Sequence, residues 1–191
     1  MQAERAAAAE RPWQSAVYLG MLLFLVSEAF LFGSLFWIYY YLKDNTPIWP
    51  PAGVDFGRAL AVVNTAILLA SSGTMYLATR AIRRGSLEGL VAELTVTFLL
   101  GALFLFNTGW EWWHLEFRPW DHAYGSIFFT MTGFHGLHVF AGLLIMLALA
   151  SRALRGRFSP QRHLAVEVGG LYWHFVDLVW LGVFSTLFII R

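Results

Sequence analysis

The stretch 125–142, GSIFFTMTGFHGLHVFAG, decides the fold. It opens an apolar run that continues through LLIMLALA to about Ala150. A helix of that length can cross a hydrocarbon core, which takes roughly 20 mainly apolar residues. Two histidines, His135 and His138, sit inside the run, three residues apart and so on one helical face. Thr132, Gly133, Gly136, Ala141 and Gly142 surround them, small residues that let another helix backbone come close. Imidazoles in hydrocarbon need polar partners. YWHFVDLVWLGVF near the C-terminus offers a pair, since His174 and Asp177 repeat the three-residue spacing. The pattern predicts an all-α membrane bundle whose helices are locked by buried hydrogen bonds.

Composition agrees. The 191 residues are 58% hydrophobic and 13% charged, with a mean hydropathy of +0.59; soluble domains average about 25% charged. Seventeen Phe, nine Trp and seven Tyr suit a protein with aromatic belts at the membrane surfaces. Cysteine is absent, which excludes disulfides, thiolate metal sites and thiol catalysis. A formal net charge of +1 gives no case for a nucleic-acid partner. Residues 1–16 are Ala-rich and charged, and the apolar run that follows is too long for a signal peptide. They are expected to form an N-terminal cytoplasmic segment before a membrane domain at 17–191.

Five stretches are long and apolar enough to span: about 17–42, 59–79, 90–109, 126–150 and 171–190. The N-terminal segment and the loops at 80–89 and 151–170 would share one side. They carry Arg5, Arg11, Arg80, Arg83, Arg84, Arg152, Arg155, Arg157 and Arg162. The other side has Lys43, Arg58, Arg118 and Arg191. The excess of cations places the N-terminus in the cytoplasm and the C-terminus outside. Trp49, Trp110, Trp112, Trp113 and Trp120 then form a belt at the outer interface. Trp49-Pro50-Pro51 predicts a rigid extended turn. In the first span Gly20, Ser27 and Ser34 form a seven-spaced seam suited to close packing. In the second, Ala66, Ala70, Thr74 and Ala78 form a small-residue stripe, read as a packing face, and Asn64 is expected to hydrogen-bond across helices.

The polar residues admit two readings. His135, His138, His174 and Asp177 could ligate a metal or heme between helices. Bundle di-metal sites, however, use about four carboxylates with two histidines, and only Glu28 and Asp177 lie deep in the spans. A hydrogen-bonded helix lock is therefore favoured. Glu111, His114 and Glu116 could also approach a metal, but their Trp-rich setting reads better as an interfacial anchor. Arg162, His163 and Glu167 read as a polar lip before the last span. Glu28 has only Phe24, Leu25, Leu31 and Phe32 as its helical neighbours. An intramembrane carboxyl is a functional hypothesis by default. Ionised and unpaired it would cost several kcal/mol, so a neutral Glu28 is expected, as a proton relay or as a structural carboxyl bonded to a neighbouring helix.

The motifs SEAFLFGSLFW (27–37), WPPAG (49–53), VNTAILLASS (63–72), YGSIFFTMTGFHGLHVFAG (124–142) and YWHFVDLVWL (172–181) come in one order and spacing. From Gly20 onward the chain resembles subunit III of the heme–copper respiratory oxidases, the cytochrome c oxidase family. The resemblance implies a non-catalytic helical subunit without heme or copper of its own; those cofactors belong to partner subunits. It implies a main contact with catalytic subunit I, a place beside subunit II and other subunits, bound phospholipid, support of proton uptake, and sustained turnover of the complex. Glu28 matches the family's buried membrane carboxylate. His135, His138, His174 and Asp177 match its helix-locking residues, and Glu111 and Glu167 match acidic positions. Mitochondrial-type members have two further spans that wall a lipid-filled cleft, so that cleft would need helices from another subunit here. Five-span members are bacterial, so a bacterial plasma membrane is expected. A subunit III-like accessory role in a quinol oxidase or nitric-oxide reductase is the alternative.

Overall fold

The computed structural model describes residues 12–51 and 58–190. The expected cytoplasmic segment 1–16 therefore lies mostly outside the described residues, as do Arg5, Arg11 and Arg191 of the charge tally. Five helices follow one another: α1 Pro12–Asn45, α2 Arg58–Arg83, α3 Leu87–His114, α4 Ala123–Leu154 and α5 Leu164–Phe184, the last continued by a π-helical turn, Ser185–Ile189. Each holds a stretch long and apolar enough to cross a membrane. Among the described residues the fold is all-α, with strand-like pairing confined to one bridge, Ser159 with Arg162.

The helices outrun the expected spans. The last starts at Leu164 rather than 171, and the loops at 80–89 and 151–170 shrink to tight connections. Hydropathy marks where side chains stop being apolar, whereas backbone hydrogen bonding stops only at a cap. Between α2 and α3 that cap is compact. Gly85 takes φ 82°, a left-handed conformation open to glycine without cost. Ser86 then caps α3, accepting a hydrogen bond from the Gly89 amide at 3.1 Å. His122 caps α4 in the same way, accepting from the Gly125 amide at 2.7 Å.

Helices α2, α3, α4 and α5 close a four-membered ring in which each packs on the next, and α1 lies outside it against α4 and α5. Burial tracks this order: 56% of the α5 span is buried within the chain but only 11% of the α1 span. The core axis is Trp173, fully buried. Its ring lies against Gly101 of α3 and Gly142 of α4, and its Nε1 donates to Ser71 Oγ of α2 at 3.0 Å. The small residues of α4 thus serve as approach points: Gly142 admits Trp173, Gly133 faces Trp112, and Gly136 faces Leu105 of α3.

Two packing expectations need correction. Ala66 and Ala70 are exposed; the buried face of α2 runs through Ala61, Asn64, Leu68, Ser71, Met75, Ala78 and Ile82. A strict four-residue stripe drifts around a helix of 3.6 residues per turn, and over three steps it leaves the face it began on. Gly20, Ser27 and Ser34 of α1 are also exposed. The two hydroxyls donate to their own helix, at the Phe24 and Leu31 carbonyls. The side of α1 that packs inward carries Leu25, Phe32, Leu35 and Tyr39. At the Trp-bearing end, the Trp49–Pro50 peptide is cis. Trp49 turns inward onto Tyr39 and Tyr124, with ring centroids 5.4 and 5.0 Å apart. Trp110, Trp113 and Trp120 remain exposed at that end.

Candidate functional site

An apolar helix with so little buried surface needs something other than packing to fix its register. Polar contacts supply it at three levels of α1. Near its start, the Tyr18 hydroxyl donates to Glu167 Oε2 in the first turn of α5. At mid-span, Glu28 Oε2 meets His138 Nε2 of α4 at 2.9 Å. Near its end, Lys43 Nζ donates to the Ile190 carbonyl at 2.9 Å.

The mid-span contact is the most informative. Glu28 and His138 side chains are 17% and 14% exposed, so the expected lone carboxyl has an imidazole partner. His138 Nδ1 lies 2.7 Å from the Phe134 carbonyl of its own helix. A carbonyl only accepts, so Nδ1 carries a proton. Nε2 then either accepts from a protonated Glu28 or, in the imidazolium, donates to a carboxylate. Both arrangements place one mobile proton on the pair. The Phe32 ring stands edge-on to the imidazole at 5.1 Å, and the Tyr172 hydroxyl donates to the His138 carbonyl at 2.9 Å. The pair therefore joins α1, α4 and α5.

The other singled-out residues take different partners from those the spacing suggests. His138 uses both ring nitrogens without reaching His174 or Asp177. His174 turns to α2, where its Nδ1 lies 2.7 Å from Ser72 Oγ. His135 is fully buried between Phe104 and Trp180, 5.5 and 5.0 Å away, and neither ring nitrogen has a hydrogen-bond partner. Asp177 is 5% exposed. Ser72 lies beside its carboxyl, but neither oxygen has a hydrogen bond of normal geometry. Asn64 Oδ1 accepts from Asn107 Nδ2 of α3 at 2.8 Å. Glu111 sits in the last turns of α3 with Oε1 buried and unpartnered, while His114 bonds back to the Trp110 carbonyl. Among the described residues no three His, Asp or Glu side chains are gathered as a metal ion would require.

Glu167 is more than a polar lip. Its Oε1 accepts from Arg83 Nε at 3.0 Å and from the Arg83 guanidinium at 2.6 Å, and lies 3.2 Å from His163 Nε2. With Tyr18 on Oε2, this one carboxylate ties α1, α2 and α5 together. Sequence reading missed Tyr18, Arg83, Ser72, Tyr172 and Lys43. Only the His163–Glu167 spacing of one helical turn was a local signal.

The comparisons fit this bundle. The family model described as cytochrome c oxidase subunit III matches residues 4–190. A cytochrome c oxidase subunit 3 from Thermostichus vulcanus is 36% identical over 173 residues, 90% of this chain and 86% of the relative. A probable cytochrome c oxidase subunit 3 from Nocardia farcinica is 38% identical over 179 residues, covering 92% and 88%. The subunit from the fish Oncorhynchus mykiss is 39% identical over 184 residues, 93% of this chain but 70% of the longer relative. The chain belongs to the cytochrome c oxidase subunit III family.

Proposed function

We propose that the chain is the non-catalytic membrane subunit III of a bacterial heme–copper terminal oxidase, in the plasma membrane. It stabilises catalytic subunit I, sits in a complex with subunit II, and supports proton uptake; hemes and copper stay in the partners. The observation that carries this reading is the family match across all five membrane helices. The arginine-bearing end faces the cytoplasm. The chain has no native cysteine to confuse labelling. Cysteines introduced near Arg84 or Arg157 should be shielded from impermeant reagents added to intact cells, and those near Trp49 or Asp121 should react. The opposite pattern would reverse the orientation.

Phospholipid fits a groove of about 850 Å³ between α1, α4 and α5. Val17, Met21, Ile145 and Leu149 give it apolar walls, and Arg152, Arg157 and Arg162 supply cations for an anionic headgroup. His138 and His174 lock helices through Glu28 and Ser72; Asn64 does so through Asn107. Asp177 is buried one turn beyond His174 without a hydrogen bond of its own, and His135 fills the interior at the Trp180 level. Glu111 and Glu167 serve as acidic groups at the two membrane edges.

Glu28→Gln tests the role of the mid-span pair. An amide keeps the shape and can donate to a neutral His138, so assembly and initial oxidase turnover should both survive. Interhelical hydrogen bonds in membranes average about 0.6 kcal/mol, so the structural loss should be small. The effect should appear as faster loss of activity during sustained turnover or as altered proton uptake. If the variant loses its first turnovers while hemes and subunits remain in place, Glu28 is an obligatory proton carrier rather than a supporting group.

A further inference from the structure

A second polar site lies apart from the Glu28–His138 pair. At the arginine-bearing end, α1, α2 and α5 enclose a cavity of about 510 Å³, a volume usual for small-ligand sites. It lies on the opposite side of the α1–α5 contact from the Arg152 groove. Tyr18 and Gly170 line this cavity, whereas Val17, Met21 and Gly169 line the other. Two arginines of α2, Arg80 and Arg83, reach it, and only one of them is neutralised. Arg83 is paired with Glu167 at 2.6 Å. Arg80 is exposed and makes no ion pair among the described residues. Glu167 cannot serve both, because a carboxylate offers about four lone-pair sites and its sites are taken. Its Oε2 accepts from Tyr18, and its Oε1 lies 3.0 and 2.6 Å from two Arg83 nitrogens and 3.2 Å from His163 Nε2. The cavity therefore keeps an uncompensated guanidinium at the membrane edge. Thr79 also lines it. Its hydroxyl donates to the Met75 carbonyl at 3.2 Å, which leaves its oxygen able to accept. Leu171 and the Tyr76 ring supply apolar wall.

We propose that this cavity binds a monoanionic phosphodiester whose headgroup carries hydroxyls rather than an ammonium, with Arg80 as its counter-ion. That is the chemistry of a phosphatidylglycerol-type lipid. Its place in a bilayer rests on the membrane-subunit reading above. A guanidinium meets phosphate oxygens through parallel charge-assisted hydrogen bonds, and one free guanidinium calls for one negative charge. The saturated Glu167 excludes the ammonium of a zwitterionic lipid: no carboxylate lone pair is left to receive it, and the two arginines repel it. A headgroup hydroxyl has an acceptor instead, at Thr79 Oγ1. The apolar wall favours a phosphodiester that carries acyl chains over a soluble one.

The experiment is native mass spectrometry of the purified complex that contains this chain, stripped of lipid and then offered phosphatidylglycerol or phosphatidylethanolamine with identical chains. Arg80→Gln should weaken phosphatidylglycerol retention at one site per chain by about fivefold, the effect of one arginine on an anionic lipid, and should leave phosphatidylethanolamine retention unchanged. Arg80→Lys, which keeps the charge, should restore most of the loss. Arg84→Gln, just past the end of α2 and outside the cavity lining, should change neither lipid. Glycerophosphoglycerol, the same headgroup without chains, distinguishes the source. Retention of the lipid alone places the ligand in the bilayer, the expected result; equal retention of the chainless headgroup, lost again in Arg80→Gln, makes it a soluble phosphodiester. The proposal is overturned by Arg80→Gln retention equal to wild type, by an equal loss of phosphatidylethanolamine, or by an Arg84→Gln loss as large as that of Arg80→Gln. Bound lipid is counted whether or not the complex carries heme, so failure here leaves the oxidase reading standing.

Discussion

Trp173→Ala should destabilise the bundle by about 3–5 kcal/mol, the usual cost of emptying a buried aromatic site, and Gly142→Ala by about 1–3 kcal/mol through overpacking. Both effects come from one contact. A Cβ on Gly142 would stand 2.6 Å from Trp173 Cζ3 and 2.7 Å from Cε3, closer than carbon atoms approach. The ring cannot slide away, because a Cβ on Gly101 of α3 would stand 2.7 Å from its Cη2 on the other side. Its Nε1 is also tied to Ser71 of α2. One side chain therefore sets the spacing of four helices. Thermal melting of the purified complex, read as retention of this chain, measures both variants. In a Trp173→Leu background the Gly142→Ala penalty should shrink, since the colliding atoms are gone. An undiminished penalty there would place the strain elsewhere.

Glu167→Ala should release the first turns of α1, at about 1–3 kcal/mol. The loss centres on Tyr18, whose hydroxyl donates to Oε2 and is left without that acceptor. Arg83 contributes less, because its side chain is 61% exposed and water replaces the lost contact. Glu167 also stands in the first turn of α5, where a negative charge is favoured by the helix dipole. Glu167→Gln keeps acceptors for Tyr18 and should lose less than half as much. Amide hydrogen exchange is the direct readout, because 1.4 kcal/mol corresponds to about a tenfold change in protection around Tyr18. Unchanged exchange there would mean that packing alone positions α1.

The five spans were legible in the sequence because the bilayer imposes one length and one polarity on each. The connections between them were not. The partner of Glu28 lies 110 residues away, that of Tyr18 lies 149 away, and the Ser72–His174 contact spans 102. Local spacing showed only that His135 and His138 stand three residues apart on α4. It could not say that one ring would turn to α1 while the other met only Phe104 and Trp180. Four-residue repeats misled in α2 for the reason that makes helices twist such stripes away from any flat contact. Seven-residue repeats misled in α1 because a helix at the edge of a bundle has an outward face as ordered as its inward one.

This chain works as a subunit of a heme–copper oxidase. Purifying the tagged chain from its native membrane in mild detergent, then identifying co-purifying polypeptides by mass spectrometry alongside heme, copper and oxygen consumption, tests it directly. The expected result is a stoichiometric complex with a heme- and copper-bearing catalytic subunit that reduces dioxygen. A chain that purifies without any heme protein, or with a nitric-oxide reductase that does not reduce dioxygen, would contradict it.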